Sequence, residues 1–299
     1  SRENRLLPLT IKGSADPISI NYKSSISSAQ VKSAVLLAAL NAPGKTVFYE
    51  PELSRDHTEK MLTAFGADIS TELSDEGYTI SLSGHSDLVS QNIFVPKDPS
   101  SAAFPICAAL MVKDSNVFIP NVCQNPTRNG LIVTLKEMGA SIAIENLKNF
   151  HGESVADVRV AASELQGVKV PQERVVSMID EIPILAAIAA TAEGKTVMTG
   201  LRELRVKESD RISAMANGLL ANGVKVEEGE DSLTVFGVGS KGVEGGATVK
   251  TFFDHRIAMA FLCLGLVTKK SITVDDSRAI ETSFPSFFKL MADLGADIS

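Results

Sequence analysis

The sequence predicts an α/β fold assembled from repeated β-α-β-α-β-β units, and three observations carry that prediction. A glycine that closes a helix ahead of a short strand recurs at Gly66-Ala67-Asp68-Ile69, Gly139-Ala140-Ser141-Ile142, Gly223-Val224-Lys225-Val226 and Gly295-Ala296-Asp297-Ile298, at roughly 70- to 85-residue spacing. Upstream of each mark lies a stretch rich in Ala, Leu and Ile that opens on polar residues. Each of these stretches is followed by a short β-branched strand, so the period of the pattern switches from helix to strand at the same point of every copy.

In chain order, the first copy has a strand at Ile18, a helix from Ser27 to Leu40, a strand from Thr46, a second helix from Asp56 and a closing strand at Tyr78. The second has a strand at Ile93, a helix from Asp98 to Met111, a strand from Asn116 and a closing strand at Val158. The third has a strand at Val168, a helix from Asp180 to Ala192, a strand from Thr196, a second helix from Ser209 and a closing strand at Leu233. The fourth has a strand at Thr248, a helix from Asp254 to Val267 and a strand from Ser271, and it stops before its last strand. The first helix of each copy is apolar nearly all round, which predicts burial on every side, whereas the second is amphipathic and belongs outside it. Each recurring glycine supplies the left-handed residue that ends a helix.

Composition limits the function classes. At 299 residues, 44% apolar and 22% charged, the chain is large enough for two domains. A net charge of -7 excludes an extended nucleic-acid footprint, since phosphate-backbone binding needs a dense basic face. The start lacks a signal-peptide core and no uncharged apolar run is long enough to span a bilayer, so a soluble cytoplasmic protein without membrane attachment is expected. The first residue is Ser rather than Met, as after cleavage within a longer chain. Cys107, Cys123 and Cys263 each sit in apolar runs and read as small buried hydrophobes. The four histidines are scattered, so a metal site is not expected. Gly44-Lys45-Thr46 and Gly194-Lys195-Thr196 imitate the end of a phosphate-binding loop, but Ala39 and Ala189 stand where its first glycine belongs, and both read as turns into strands.

Chemistry concentrates at the polar starts of the first helices: Ser28-Ala29-Gln30, Ser100-Ser101, Asp180-Glu181 and Asp254-His255-Arg256. Capping accounts for Ser100, Ser101 and Asp254. It does not account for Arg256, because a cation in a first turn opposes the helix dipole unless an anion compensates. The run Arg205-Val206-Lys207-Glu208-Ser209-Asp210-Arg211, if it opens a helix, sets Lys207 and Arg211 on one face beside free backbone N–H groups. Two readings of that run stay open, an anion site and a solvated charged turn.

Taken together, Ser28-Ala29-Gln30-Val31-Lys32-Ser33-Ala34, Arg55-Asp56-His57-Thr58-Glu59, Asn125-Pro126-Thr127-Arg128, Met178-Ile179-Asp180-Glu181, Glu203 to Arg211 and Asp254-His255-Arg256 resemble the 5-enolpyruvylshikimate-3-phosphate synthases (3-phosphoshikimate 1-carboxyvinyltransferases), in particular the bacterial class with glyphosate-tolerant members. The resemblance runs in order along essentially the whole chain. It implies an inside-out, barrel-like α/β architecture of six such units in two domains, with substrates held in the cleft between them. The four units present here would be residues 1–95, the remaining part of an N-terminal shikimate-phosphate-binding domain, and residues 96–299, a C-terminal three-unit domain.

The implied reaction moves the enolpyruvyl group of phosphoenolpyruvate onto the 5-hydroxyl of shikimate 3-phosphate and releases phosphate, with no cofactor. Ser28, Ala29, Gln30, Arg55, Asp180 and Lys207 match the residues that bind shikimate 3-phosphate. Gln30, Glu208, Arg211, His255 and Arg256 match those around phosphoenolpyruvate, with glyphosate a further candidate ligand. Asp180 matches the carboxylate that takes the hydroxyl proton, and Glu208 the acid/base at the methylene carbon.

The family's N-terminal Lys, Gly-rich phosphoenolpyruvate loop and further Arg find no match, and Glu281-Thr282-Ser283-Phe284-Pro285 lacks the Lys that many members carry before the final Phe-Pro. The chain is therefore expected to fold around its second domain with little or no turnover. Two alternatives are a UDP-N-acetylglucosamine enolpyruvyltransferase, whose reactive loop Cys is not matched by the cysteines here, and a non-catalytic anion-binding module.

Overall fold

The computed structural model describes residues 8–298. The chain divides into two compact units, Ser1–Asn92 and Ile93–Ser299. The first holds one copy of the repeat and the second holds the other three.

In the first unit, β1 (Asn21–Lys23) pairs in parallel with β2 (Lys45–Glu50), and β4 (Gly77–Ser83) runs antiparallel both to β2 and to β3 (Ile69–Ser74), giving the order β1-β2-β4-β3. The helices are α1 (Ala29–Ala39) and α2 (His57–Ala64). Alternation along the strands sends Phe48, Ile80 and Leu82 to one face, where they meet Leu36 of α1 and Leu62 of α2. The expected burial of α1 on every side does not hold: Leu37 is 47% exposed and Ala34 and Ala38 are exposed beside it. This unit contains a single inner helix, so that side of α1 has no second inner helix within the unit to pack on.

The second unit repeats the scheme with α3 (Pro99–Met111), β5 (Asn116–Cys123), α4 (Gly130–Glu137), β6 (Ser141–Phe150) and β7 (Glu153–Ala161), in sheet order β5-β7-β6. Next come α5 (Ile182–Ala189), β8 (Glu193–Thr199), α6 (Arg211–Ala221), β9 (Val226–Glu228) and β10 (Ser232–Val238), ordered β8-β10-β9. The last copy has β11 (Thr248–Val249), α7 (His255–Gly265), β12 (Thr273–Val274), the short α8 (Ala279–Ser283) and α9 (Phe287–Asp293). Every residue of α5 is buried, and α3, α5 and α7 pack on one another as the core of this unit. Burial of the first helices on all sides therefore holds here.

The four recurring glycines end their helices by one device. Gly66, Gly139, Gly223 and Gly295 have φ of 90°, 97°, 84° and 93°. In each case the glycine N–H reaches back three residues and the next residue's N–H reaches back five, as in Ala140 N to Leu135 O at 2.9 Å and Val224 N to Leu219 O at 3.0 Å. Gly44 and Gly194 are left-handed as well, at φ 83° and 86°; Gly44 stands in the turn that leads into β2, whereas Gly194, expected in a turn, is already the second residue of β8.

Four expectations are corrected. No strand forms at Ile93. Pro96 removes a donor from that segment, and pairing passes to a single parallel bridge between Lys97 and Val122. Around Val168 the strand is reduced to the bridges Gln166 to Glu193 and Lys169 to Val197, because Pro171 cuts it off. The helix expected from Asp180 starts at Ile182, with Asp180 and Glu181 closing a 3-10 segment, Gln172–Glu181, ahead of Pro183 in the first turn. After Gly295 no strand follows among the described residues.

A Cβ at Gly139 would find room, its nearest contact being Glu164 O at 3.5 Å, so Gly139→Ala isolates the conformational requirement. The substitution lowers unfolding free energy by about 1 to 2 kcal/mol in a denaturant titration; an unchanged midpoint means the helix closes without a left-handed residue.

Candidate active site

The starts of α3, α5 and α7 converge in the second unit, and each brings side chains suited to anions or proton transfer. Asp254 caps α7, accepting from Arg256 N at 2.9 Å. Its carboxylate also receives Ser209 Oγ at 2.9 Å and Arg211 Nε at 2.8 Å. Arg211 is 1% exposed although it opens a helix. Its guanidinium bonds Glu208 and lies 3.5 Å from Asp180 Oδ1, so the two carboxylates flank one cation. Arg256 donates to Asp180 O at 3.1 Å and stands 3.9 Å from Asp180 Oδ2 and 3.8 Å from Glu181 Oε1. Carboxylates from the segment ahead of α5 thus compensate the cation in the first turn of α7.

Behind this group a second chain of contacts reaches α3. Asp98 caps α3 and accepts from Arg128 Nη2 at 2.8 Å. The same nitrogen donates to Ser100 Oγ at 2.7 Å, and Ser100 donates to Glu181. Burial pushes the Glu181 carboxyl up, against the Ser100 hydroxyl and Arg256, which pull it down. Burial acts in the same sense on Asp254, but Arg211, the Arg256 amide and Ser209 outweigh it and hold that carboxyl below the usual range. Burial lowers the His255 imidazole and Arg256 lowers it further, so the ring titrates below an ordinary histidine.

In the first unit, Ser28 caps α1, accepting from Val31 N at 3.5 Å, with Ala29 and an exposed Gln30 in the first turn. Arg55 lies on the loop after β2. That loop is tied to the start of α1 by Glu52 N to Ser27 Oγ at 3.0 Å and by Lys32 Nζ to Ser54 O at 3.3 Å. Lys32 is fully buried, 2.8 Å from Glu50 Oε1 and 2.7 Å from Glu59 Oε1. Burial pushes the Glu59 carboxyl up, and Lys32 offsets part of the rise.

Residues 1–291 match the profile of EPSP synthase (3-phosphoshikimate 1-carboxyvinyltransferase). The chain belongs to the EPSP synthase family. A 3-phosphoshikimate 1-carboxyvinyltransferase of Cereibacter sphaeroides is 58% identical over 298 residues, covering 100% of this chain and 66% of the relative. One from a Pseudomonas species, strain PG2982, is also 58% identical, covering 98% of this chain and 65% of the relative. The solved EPSP synthase of Acinetobacter baumannii superposes with a TM-score of 0.87 at 44% identity, covering 95% of this chain and 64% of that one. The chain thus spans just under two thirds of the length of these relatives.

Within this member of the EPSP synthase family, Asp180, Glu208, Arg211, His255 and Arg256 gather in the second unit. Lys207 departs from the expected geometry. Asp210 caps α6 by accepting from Ser213 N at 3.1 Å, so the helix starts at Arg211 and Lys207 stays in extended backbone outside it. The two cations therefore do not share a helix face, and Lys207 pairs with Glu203. Ser100 and Ser101, expected as caps, lie inside α3, which Asp98 caps, and the motifs assign no role to Arg128, Glu181 or the buried Lys32, Glu50 and Glu59. Their one sequence signal is a charge standing inside or beside an apolar stretch.

Removing the Asp254 carboxylate takes from the buried Arg211 its fully buried counter-charge and leaves it the more exposed Asp180 and Glu208. Asp254→Asn is expected to cost about 3 to 5 kcal/mol in urea unfolding. Because Asp254 titrates lower folded than unfolded, its contribution is complete above the unfolded value of about 3.9 and is lost as pH falls below it. Asp254→Asn therefore flattens part of the acid limb of stability against pH; an identical limb in the variant assigns the loss to other carboxyls.

Proposed function

We propose that this chain carries most of the machinery of a 3-phosphoshikimate 1-carboxyvinyltransferase. The enolpyruvyl group of phosphoenolpyruvate is joined to the 5-hydroxyl of shikimate 3-phosphate, and phosphate leaves. The observation that carries the reading is Arg211 set between Asp180 and Glu208, with Arg256 beside them. Forming a tetrahedral adduct requires a proton delivered to the methylene carbon and another removed from the attacking hydroxyl. Asp180 is assigned the hydroxyl proton and Glu208 the methylene carbon, each role worth on the order of 10² to 10⁴ in rate.

Arg211 and Arg256 offer planar forks suited to the carboxylate and phosphate of phosphoenolpyruvate, with Glu208, Gln30 and His255 beside that ligand. Ser28, Ala29, Gln30, Arg55, Asp180 and Lys207 are assigned to shikimate 3-phosphate. Glyphosate, an anion of similar charge, is a candidate ligand of the same arginines. Three buried cysteines fit a reducing cytoplasm. They also weigh against a UDP-N-acetylglucosamine enolpyruvyltransferase that works through a loop thiol, since burial pushes the Cys107 and Cys263 thiols up.

Calorimetric titration tests the assignment: shikimate 3-phosphate binds, shikimate and UDP-N-acetylglucosamine do not, and Lys207→Ala weakens binding about tenfold. Absence of any shikimate 3-phosphate heat, or equal binding of the sugar nucleotide, overturns the substrate assignment. Robust phosphate release by the purified chain overturns the expectation of little or no turnover. In an intact relative, Asp180→Ala loses turnover by on the order of 10²-fold or more while phosphoenolpyruvate still binds; retained turnover removes Asp180 from the mechanism.

A further inference from the structure

The motif Asn125-Pro126-Thr127-Arg128 and the acid that follows Asp180 have no part in the chemistry assigned above, yet they form one connected system. Arg128 stands on the 3-10 turn Pro126–Arg128, and its Nη2 is shared between Asp98 Oδ1 at 2.8 Å and Ser100 Oγ at 2.7 Å. With its oxygen occupied as an acceptor by Arg128, the Ser100 hydroxyl has one proton to give, and Glu181 Oε1 receives it. Ser100 and Glu181 are each 3% exposed, so water does not compete for this contact. Glu181 Oε1 is also the atom 3.8 Å from Arg256 Nη1. The residue before Glu181 supplies the carbonyl that Arg256 Nη1 bonds at 3.1 Å. The carboxyl of that same residue, Asp180, meets both Arg256 and Arg211.

Glu181 is therefore tied on one side to α3 and on the other to the peptide and guanidinium next to the assigned base. The acid closes a 3-10 segment that contains a non-helical residue, Met178 at φ -151° and ψ 22°. Such a segment lacks the regular ladder that would fix the direction of its last residues. Its last turn needs an external anchor, and Glu181 is the side chain that reaches α3.

We propose that Glu181 is a positioning residue: held to α3 by the Ser100–Arg128–Asp98 chain, it fixes the backbone of Asp180 and the guanidinium of Arg256 in the orientation that receives phosphoenolpyruvate. This rests on the reading of the site given under Proposed function. A carboxylate in this position has one further consequence. Glu181 draws Arg256 toward α3, whereas Asp180 draws it toward Arg211, so the guanidinium is set between two fixed points before any ligand arrives.

The test uses the full chain with Glu181→Ala, Glu181→Gln and Ser100→Ala, and Arg256→Ala as reference. Phosphoenolpyruvate affinity is measured by calorimetry, and amide exchange is followed by mass spectrometry over residues 172–182. Glu181→Ala and Ser100→Ala should each weaken phosphoenolpyruvate about tenfold and speed exchange in that segment. Glu181→Gln, which keeps an acceptor for Ser100, should recover most of both. The double variant Ser100→Ala with Glu181→Ala should be no weaker than either single one, as residues acting through one contact require.

A lowered melting temperature with unchanged affinity and exchange overturns the proposal, as does a glutamine variant as impaired as alanine. Should Glu181→Ala fail to fold, Ser100→Ala and Glu181→Gln decide by the same criteria. If Arg256→Ala leaves affinity unchanged, the reading of the site falls and this proposal with it. Weakening by Arg256→Ala but not by Glu181→Ala removes only the proposal. Where the parent chain binds too weakly to titrate, exchange decides, and equal protection in parent and Glu181→Ala overturns it.

Discussion

A guanidinium that water hardly reaches governs the second unit. Burying Arg211 at the start of α6 is costly unless its charge is met within hydrogen-bonding distance. Asp254 meets it from the cap of α7, Glu208 from the turn just before α6, and Asp180 from the end of the 3-10 segment. One side chain thereby joins the outer helix of one repeat to the inner helix of the next. Those contacts also bring together the groups assigned to proton transfer. Were Arg211 exposed, the carboxylates around it would repel one another and have no reason to share a site.

The repeat explains why polar residues are forced together at all. The inner helices α3, α5 and α7 are lined with Ala, Leu, Ile and Phe on every side, so their lengths are consumed by mutual packing. Polar side chains are tolerated only at helix ends, and contacts such as Ser100 with Glu181 and Arg256 with Asp180 show that the starts of all three helices face a common region. The paired hydrogen bonds that close the outer helices after Gly66, Gly139, Gly223 and Gly295 fix where each following segment begins. The same local device, used in every copy, keeps the register of the repeat.

Much of this was legible in the residues, and the failures have physical causes. Helix closure by glycine is a local requirement, and all four positions are left-handed as expected. Asp254 as a cap and the turn at Gly44 are local too. The strands at Ile93 and Val168 were misread because edge pairing depends on which neighbour is within reach and on Pro96 and Pro171, which periodicity ignores. Lys207 was placed on a helix because a charged run does not announce which of its acids will act as the cap; Asp210 does, and the helix starts later. Glu181, Arg128 and Lys32 matter through contacts between distant segments, Ser100 with Glu181 above all, and no spacing along the chain encodes such a meeting.

The charge around the arginines decides how the site can bind anions. The guanidiniums of Arg128, Arg211 and Arg256 are surrounded by the carboxyls of Asp98, Asp180, Glu181, Glu208 and Asp254, an excess of acid over base. An anionic ligand reaching Arg256 or Arg211 must compete with groups already in place, so its affinity is the difference between two sets of charge-assisted contacts and not the sum of one. The carboxylates least able to yield are those buried behind the arginines, Asp254 and Glu181. Asp180 and Glu208 keep more solvent contact, at 16% and 53% exposed. The division follows from burial alone: the inner acids hold the cations still, and the outer ones stay within reach of solvent.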